Sequence, residues 1–256
     1  CRPGLRNLGQ CTSHGSLISQ RDRAAILGPG SQATVIPNGI ELGYWTRRSH
    51  TPEENCLIFT GVMDYAPNND AALHLVDDIL PHIRPHVPNL KVIIAGRNPT
   101  TALRERAQRH ADVIVTGFVD DMRDYLEKAT VFAAPLRFGA GMQNKLQEAL
   151  AMEVPIVTTS VAAQGLQVEE GGAAPLYVAD DDQAFAAQVV QLLKQPTERA
   201  RLAREGRQFA QKHFEWTRSA QQLEQMCIDA MEASIAATKT GIRPRPIMSS
   251  ASKIGS

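Results

Sequence analysis

The sequence predicts an α/β fold: a doubly wound parallel sheet with helices on both faces, closed by two long C-terminal helices. Three observations carry that prediction. Between residues 56 and 194, short apolar runs alternate with segments of helical periodicity. The runs are solidly apolar rather than alternating, as strands covered on both faces must be. Gly61, Gly96, Gly117 and the pair Gly139 and Gly141 all fall at C-terminal strand ends, the edge where an open parallel sheet binds ligands.

Taken in order, residues 1–34 are loop-like, with a short strand and a helical turn expected in GSLISQRDRAAIL. ATVIPNGIEL (33–42) predicts a brief strand broken by Pro37 and the turn pair Asn38 and Gly39, and 43–54 an exposed connector. CLIFTGV (56–62) then opens the regular pattern, followed by a helix over 68–85 with Ala71, Leu75, Val76 and Ile79 at helical spacing. Strands over 91–96 and 112–119 precede helices over 100–110 and 120–129. The acidic start at Asp120 and Asp121 suits the dipole of the second of these helices. TVFAAPL (130–136) is a fourth strand. The helix after it carries Met142, Leu146, Ala149, Leu150 and Met152 on one side, and Pro155 stops it before Ile156 and Val157. Strands over 155–160 and 176–180 and a helix over 181–194 complete the alternation. Amphipathic helices over 197–214 and 216–235 end the folded part. From Thr238 the chain turns to Ser, Pro and scattered basic residues, which cannot bury a face, so a disordered tail is expected.

Bulk properties exclude several functions. At 256 residues the chain can bury an ample core. Its 27 basic and 27 acidic side chains balance, so no overall field favours nucleic acid. Cys1, Cys11, Cys56 and Cys227 lack metal-like spacing and fit a reducing compartment, with Cys56 expected as a buried thiol. No apolar run approaches the ~18 residues of a membrane span, and no signal peptide is visible. The chain begins with Cys1 rather than Met, and is expected to be a fragment. No GxGxxG follows a strand and no GxxxxGK[ST] or GxSxG occurs, which disfavours dinucleotide, P-loop and hydrolase chemistry. The seven histidines are dispersed, with His74, His82, His86 and His110 assigned to polar helix faces, so no zinc site is expected. Asp64 follows a strand without the acidic pair a phospho-receiver would need.

Residues 135–157, PLRFGAGMQNKLQEALAMEVPIV, hold the densest chemistry. Gly139 and Gly141 let the backbone approach a ligand closely, and the helix start offers free N–H groups and a positive dipole end. Lys145 and Glu148 are three apart and share one helix face. Phosphates at one end and hydroxyls at the other would suit this order of groups, as in a nucleotide sugar. Lys145 would offset charge on a diphosphate leaving group, Glu148 would accept from ribose hydroxyls, and Arg137 would reach a phosphate from its strand end. Plainer alternatives stand beside these: a solvated ion pair between Lys145 and Glu148, a lone surface arginine, and glycines that merely let strands end.

The quoted pieces VIPNGIE, LIFTGVMDYAPNNDA, VIIAGRNP, VIVTGFVDDMRDYLEKATVFAAPLRFGAG, NKLQEALAMEVPIVTT and AAQGL occur in an order that resembles the glycosyltransferase family 4 / group 1 class, retaining enzymes of the GT-B fold. HFEWTRSAQQLEQM is similar to the family's closing helix. The resemblance covers roughly residues 15–235, and its G-x-G-x-x-x-K-x-x-E form is most similar to sugar transferases associated with exopolysaccharide and exosortase gene clusters. It implies a hexosyltransferase-type enzyme that uses a nucleoside-diphosphate sugar as donor, a glycan or lipid-linked acceptor, and no metal or other cofactor. Glu148 would bind the donor ribose, Lys145 the diphosphate, and the 139–141 turn the phosphates or sugar. Gly61 and Asn144 would add donor contacts, and backbone near Gly96 and at Gly117, Phe118 and Val119 would hold the base.

Two departures from the family pattern are visible. Ala140 stands eight positions before Glu148, where many members carry a glutamate that contacts the sugar. Val62 and Pro67 or Asn68 stand where many carry an Arg and a Lys. The resemblance also implies an organisation: 1–34 as the remnant of an N-terminal acceptor domain, 35–54 as an interdomain linker, 55–235 as the donor domain and 236–256 as the tail. A fragment of that kind would be inactive alone, and would work in the cytoplasm or at the inner face of the membrane. The competing expectations are a non-catalytic nucleotide-sugar-binding module or degenerate paralogue, and an epimerase of nucleotide sugars, which would need more catalytic carboxylates and histidines.

Overall fold

The computed structural model describes residues 16–17, 34–36, 38–48, 51–139, 143–168 and 172–239. Two short strands, β1 (Ser16–Leu17) and β2 (Thr34–Val35), pair in parallel. The main sheet has six strands: β3 (Cys56–Thr60), β4 (Lys91–Ala95), β5 (Val113–Val115), β6 (Val131–Ala134), β7 (Ile156–Thr158) and β8 (Tyr177–Val178). They run in the order β5-β4-β3-β6-β7-β8, and every pair is parallel. This is the doubly wound sheet expected. β3, β6 and β7 are buried throughout, which is why they read as unbroken apolar runs. The edge strands are shorter than expected, and Ile114 of β5 is exposed because it has a neighbour on one side only. Cys56 opens β3 as a buried thiol, which burial pushes up to about 11.

Helices α1 (Ala66–His74) and α2 (Leu80–Ile83) are joined by a π-helical turn, Leu75–Ile79, where a single helix was expected. Pro81 explains the break: it lacks the N–H that would bond to the carbonyl of Asp77. The wider turn also keeps Ala71, Leu75, Ile79 and Ile83, four apart each time, on the core side. His74 departs from its assignment to a polar face. It is buried, and its Nε2 lies 2.7 Å from Asp182 at the start of a later helix.

The other helices are α3 (Thr101–Arg109), α4 (Arg123–Leu126), α5 (Asn144–Ala151), α6 (Ser160–Ala163), α7 (Asp182–Lys194), α8 (Pro196–His213) and α9 (Trp216–Lys239). Thr100 and Asp181 cap α3 and α7 through side-chain oxygens. α4 is one turn rather than the ten residues expected, because tight i→i−3 bonds flank it from Tyr125 to Met122 and from Lys128 to Tyr125. α9 runs past residue 235 to Lys239, and the expected tail beyond it lies outside the described residues. The segment 38–48 lies across the junction of α8 and α9: Ile40 donates to the carbonyl of Phe214 at 2.6 Å, and a Cβ on Gly39 would meet Trp216 at 2.6 Å. Gly39 is therefore required by close approach, not by a left-handed backbone.

Candidate functional site

The strand order reverses beside β3, which has β4 on one side and β6 on the other. At such a switch point the loops leaving neighbouring strands diverge and open a crevice. A cleft of ≈ 560 Å³ lies there. Its wall is built from Gly61 after β3, Gly96 and Arg97 after β4, Phe118 and Val119 after β5, and Asn144, Lys145 and Glu148 of α5. β5 and β6 are three strand spacings apart, roughly 14 Å. The cleft thus spans from an aromatic end at Phe118 to a charged end on α5.

α5 presents Leu146, Ala149 and Leu150 to the core, which leaves Lys145 and Glu148 half-buried against the cleft. The ammonium of Lys145 donates to Oδ1 of Asn68 and lies 5.0 Å from the centre of the Phe59 ring. Burial lowers its pKa to about 8, with the charge of Glu148 opposing the shift. Burial likewise pushes the Glu148 carboxyl up to about 7 against the pull of Lys145. The solvated-pair alternative does not describe these residues. Lys145 donates its hydrogen bond to Asn68 of α1, and both groups are desolvated rather than free in water.

The glycines divide by what stands where a side chain would be. A Cβ on Gly96 would meet the carbonyl oxygen of Gly61 at 1.7 Å, and one on Gly61 would meet Nδ2 of Asn68 at 2.7 Å. Both line the cleft, yet each is glycine to make room for protein atoms. Gly117 and Gly139 hold left-handed φ values of 73° and 123° and shape the turns without lining the cleft. Gly141 lies outside the described residues. Arg137 is not brought to the site: it forms a two-bond ion pair with Asp70, at 2.9 and 2.5 Å. Its partner is an opposite charge on the neighbouring helix α1.

Sequence reasoning passed over Tyr65, Arg97, Met122 and Trp45, and met Asn68 only as a departure from the family pattern; all five line the cleft. Arg97 could have been found from its place directly after a strand-end glycine. Trp45, in the segment before β3, carried no local signal, since only the fold brings it to the sheet edge. Among the described residues no three His, Cys, Asp or Glu side chains are grouped as metal ligands would be, and no helix is long and apolar enough to cross a membrane.

A sequence model of the family described as "Glycosyl transferases group 1" matches residues 54–195, more than half of the chain. This chain belongs to that family. The chain is 29% identical over 202 residues to a glycogen synthase of Mycobacterium tuberculosis, covering 75% of this chain and 47% of that one. It is 28% identical over 178 residues to a phosphatidyl-myo-inositol mannosyltransferase of Mycolicibacterium smegmatis, covering 67% and 45%. The chain spans about half the length of these relatives. Among solved structures, Anabaena Alr3699/HepE in complex with UDP and glucose superposes with a TM-score of 0.67 at 15% identity, covering 83% of this chain and 62% of that one. TarM gives 0.70 at 12% identity, covering 87% and 44%. The sheet is thus the Rossmann-like fold of GT-B glycosyltransferases.

Proposed function

We propose that this chain is the donor-binding half of a retaining glycosyltransferase that moves a sugar from a nucleoside diphosphate to a glycan or lipid-linked acceptor hydroxyl. The observation that carries the proposal is the desolvated pair Lys145 and Glu148 on one wall of the switch-point cleft. A cation there meets the diphosphate, whose charge grows as the glycosidic bond breaks. A carboxylate one turn further on accepts from hydroxyls of the ribose. Phe118, 74% exposed in the cleft and about three strand spacings away, offers a face to the base. HepE is solved with UDP and glucose, which supports a donor of this type. Lys145 and Arg97 supply positive charge in place of a metal. The G-x-G-x-x-x-K-x-x-E pattern supports a place in exopolysaccharide synthesis, in the cytoplasm or at the inner membrane face. The span of about half of its relatives supports a need for an acceptor-binding domain, without which the chain transfers no sugar.

Calorimetry with UDP, GDP and their sugars tests the reading. One nucleoside diphosphate should bind, and Lys145→Ala should weaken it by about 10- to 100-fold, the loss of a charge-assisted contact. Affinity should be greatest between pH 7 and 8, where Glu148 is ionised and Lys145 still charged. Binding that both Lys145→Ala and Glu148→Ala leave intact would remove the site, and absence of any binding would remove the function. Ala140 favours a second reading, a non-catalytic nucleotide-sugar-binding module, because a sugar-contacting glutamate is missing there. Sugar transfer once an acceptor-binding domain is supplied would decide against it.

A further inference from the structure

We infer that Asn68 is a positioning residue that sets the ammonium of Lys145 against the diphosphate of the donor. The inference rests on the reading of Lys145 given above and adds a residue to it. Asn68 is 6% exposed at the start of α1, and both ends of its amide are engaged. Nδ2 donates to the carbonyl of Val62 at 3.0 Å, and Oδ1 accepts from Lys145. These two partners fix the orientation of the amide, because a flip would set NH₂ against an ammonium and oxygen against oxygen. Gly61 gives up a side chain to admit the amide, whose Nδ2 lies 2.7 Å from where a Cβ would stand. The turn after β3 is therefore shaped around Asn68, and Asn68 reaches across to α5. An ammonium has three donors, of which Asn68 takes one and leaves two for an anion in the cleft. With the Phe59 ring 5.0 Å away, the lysine is held from two sides before any ligand arrives. A flexible four-carbon stem that is already ordered loses less entropy on binding.

The test reads Lys145 directly by side-chain NMR titration of the full chain, with UDP and GDP calorimetry beside it. Glu148 is the charged group that bears on Lys145 and is left unchanged. Asn68→Ala removes the acceptor and should lower the Lys145 midpoint, whereas Asn68→Asp, nearly isosteric and an acceptor, should raise it. The affinity for whichever nucleotide binds should fall about tenfold in Asn68→Ala. In a Lys145→Met background the same substitution should change nothing further. A midpoint unmoved by both Asn68 variants, with nucleotide affinity still sensitive to Lys145→Met, sinks this inference alone. An equal loss in both backgrounds also sinks it, since Asn68 would then act without Lys145. A moved midpoint with affinity indifferent to Lys145→Met sinks the donor reading and this inference with it.

Discussion

Lys145 and Glu148 pull stability and function in opposite directions. Glu148 has an ordinary value of 4.5 that rises to about 7 in the folded chain, so the folded state binds that proton more tightly. The associated stability is fully present below 4.5 and is lost as pH rises through about 7. Lys145 falls from 10.5 to about 8, so its stability is fully present above 10.5 and lost as pH falls through about 8. Between pH 7 and 8 both charges are held half-buried, where a ligand that pairs with them would gain most. Glu148→Gln should therefore stabilise the chain at pH 8 by about 1 kcal/mol, raising Tm by about 2–4 °C. The gain is held to that size because Lys145 loses the one charge that favours its ionised form. At pH 4.5 the same substitution should be close to neutral. Differential scanning calorimetry at both pH values checks the sign, and an unchanged or lowered Tm at pH 8 would mean that the carboxylate ionises there without cost.

α5 carries this pair, and arginines from distant parts of the chain hold its C-terminal end. Arg207 of α8 donates to the carbonyls of Ala151 at 2.7 Å, Trp45 at 2.6 Å and Leu42 at 3.1 Å. Arg47, in the segment before β3, donates to the carbonyls of Met152 and Glu153, both at 3.4 Å. Guanidinium groups there satisfy carbonyls that the helix itself leaves open, at the negative end of its dipole. Arg207→Lys keeps the charge and loses the fork, so carbonyls reached from two separate nitrogens must share one. A loss of about 1–3 kcal/mol in urea unfolding is expected, with the segment from Leu42 to Trp45 released from α8. An unchanged midpoint would show that water replaces these bonds freely. The anchoring also explains what could be read from the chain before its fold was known. Solid apolar runs declared β3, β4, β6 and β7 because both faces of each are covered, and the short spacing from Lys145 to Glu148 declared a shared helix face. The contacts of Arg207 and Asn68 were not declared, since their partners stand 56 residues away at Ala151 and 77 away at Lys145. The pairing of Arg137 was hidden for the same reason: its place at a strand end was visible, and Asp70, 67 residues earlier, was not linked to it by any local pattern.

Across the whole molecule the two edges of the sheet have separate duties. The C-terminal edge holds the cleft, with left-handed glycine turns and two desolvated charges that burial disfavours. The N-terminal edge holds ion pairs that join strand starts to their surroundings: Lys91 with Glu53 at 2.5 Å, and Arg84 with Asp112 at 2.8 and 3.1 Å. The second pair is bidentate, and its side chains are 28% and 24% exposed, so it outperforms a freely solvated pair. Because all six strands are parallel, each edge is continuous, and the cleft lies on the C-terminal one. Arg84→Ala should then cost about 1–2 kcal/mol of stability while nucleotide affinity stays within about twofold of the original. Lys145→Ala should do the reverse at pH 7, leaving the fold as stable or more so and removing most of the affinity. Chemical unfolding and calorimetry on the same two variants give four numbers. A crossed pattern supports the division of edges, whereas an Arg84→Ala variant that loses affinity in proportion to stability would mean that the cleft is set by the rigidity of the entire sheet.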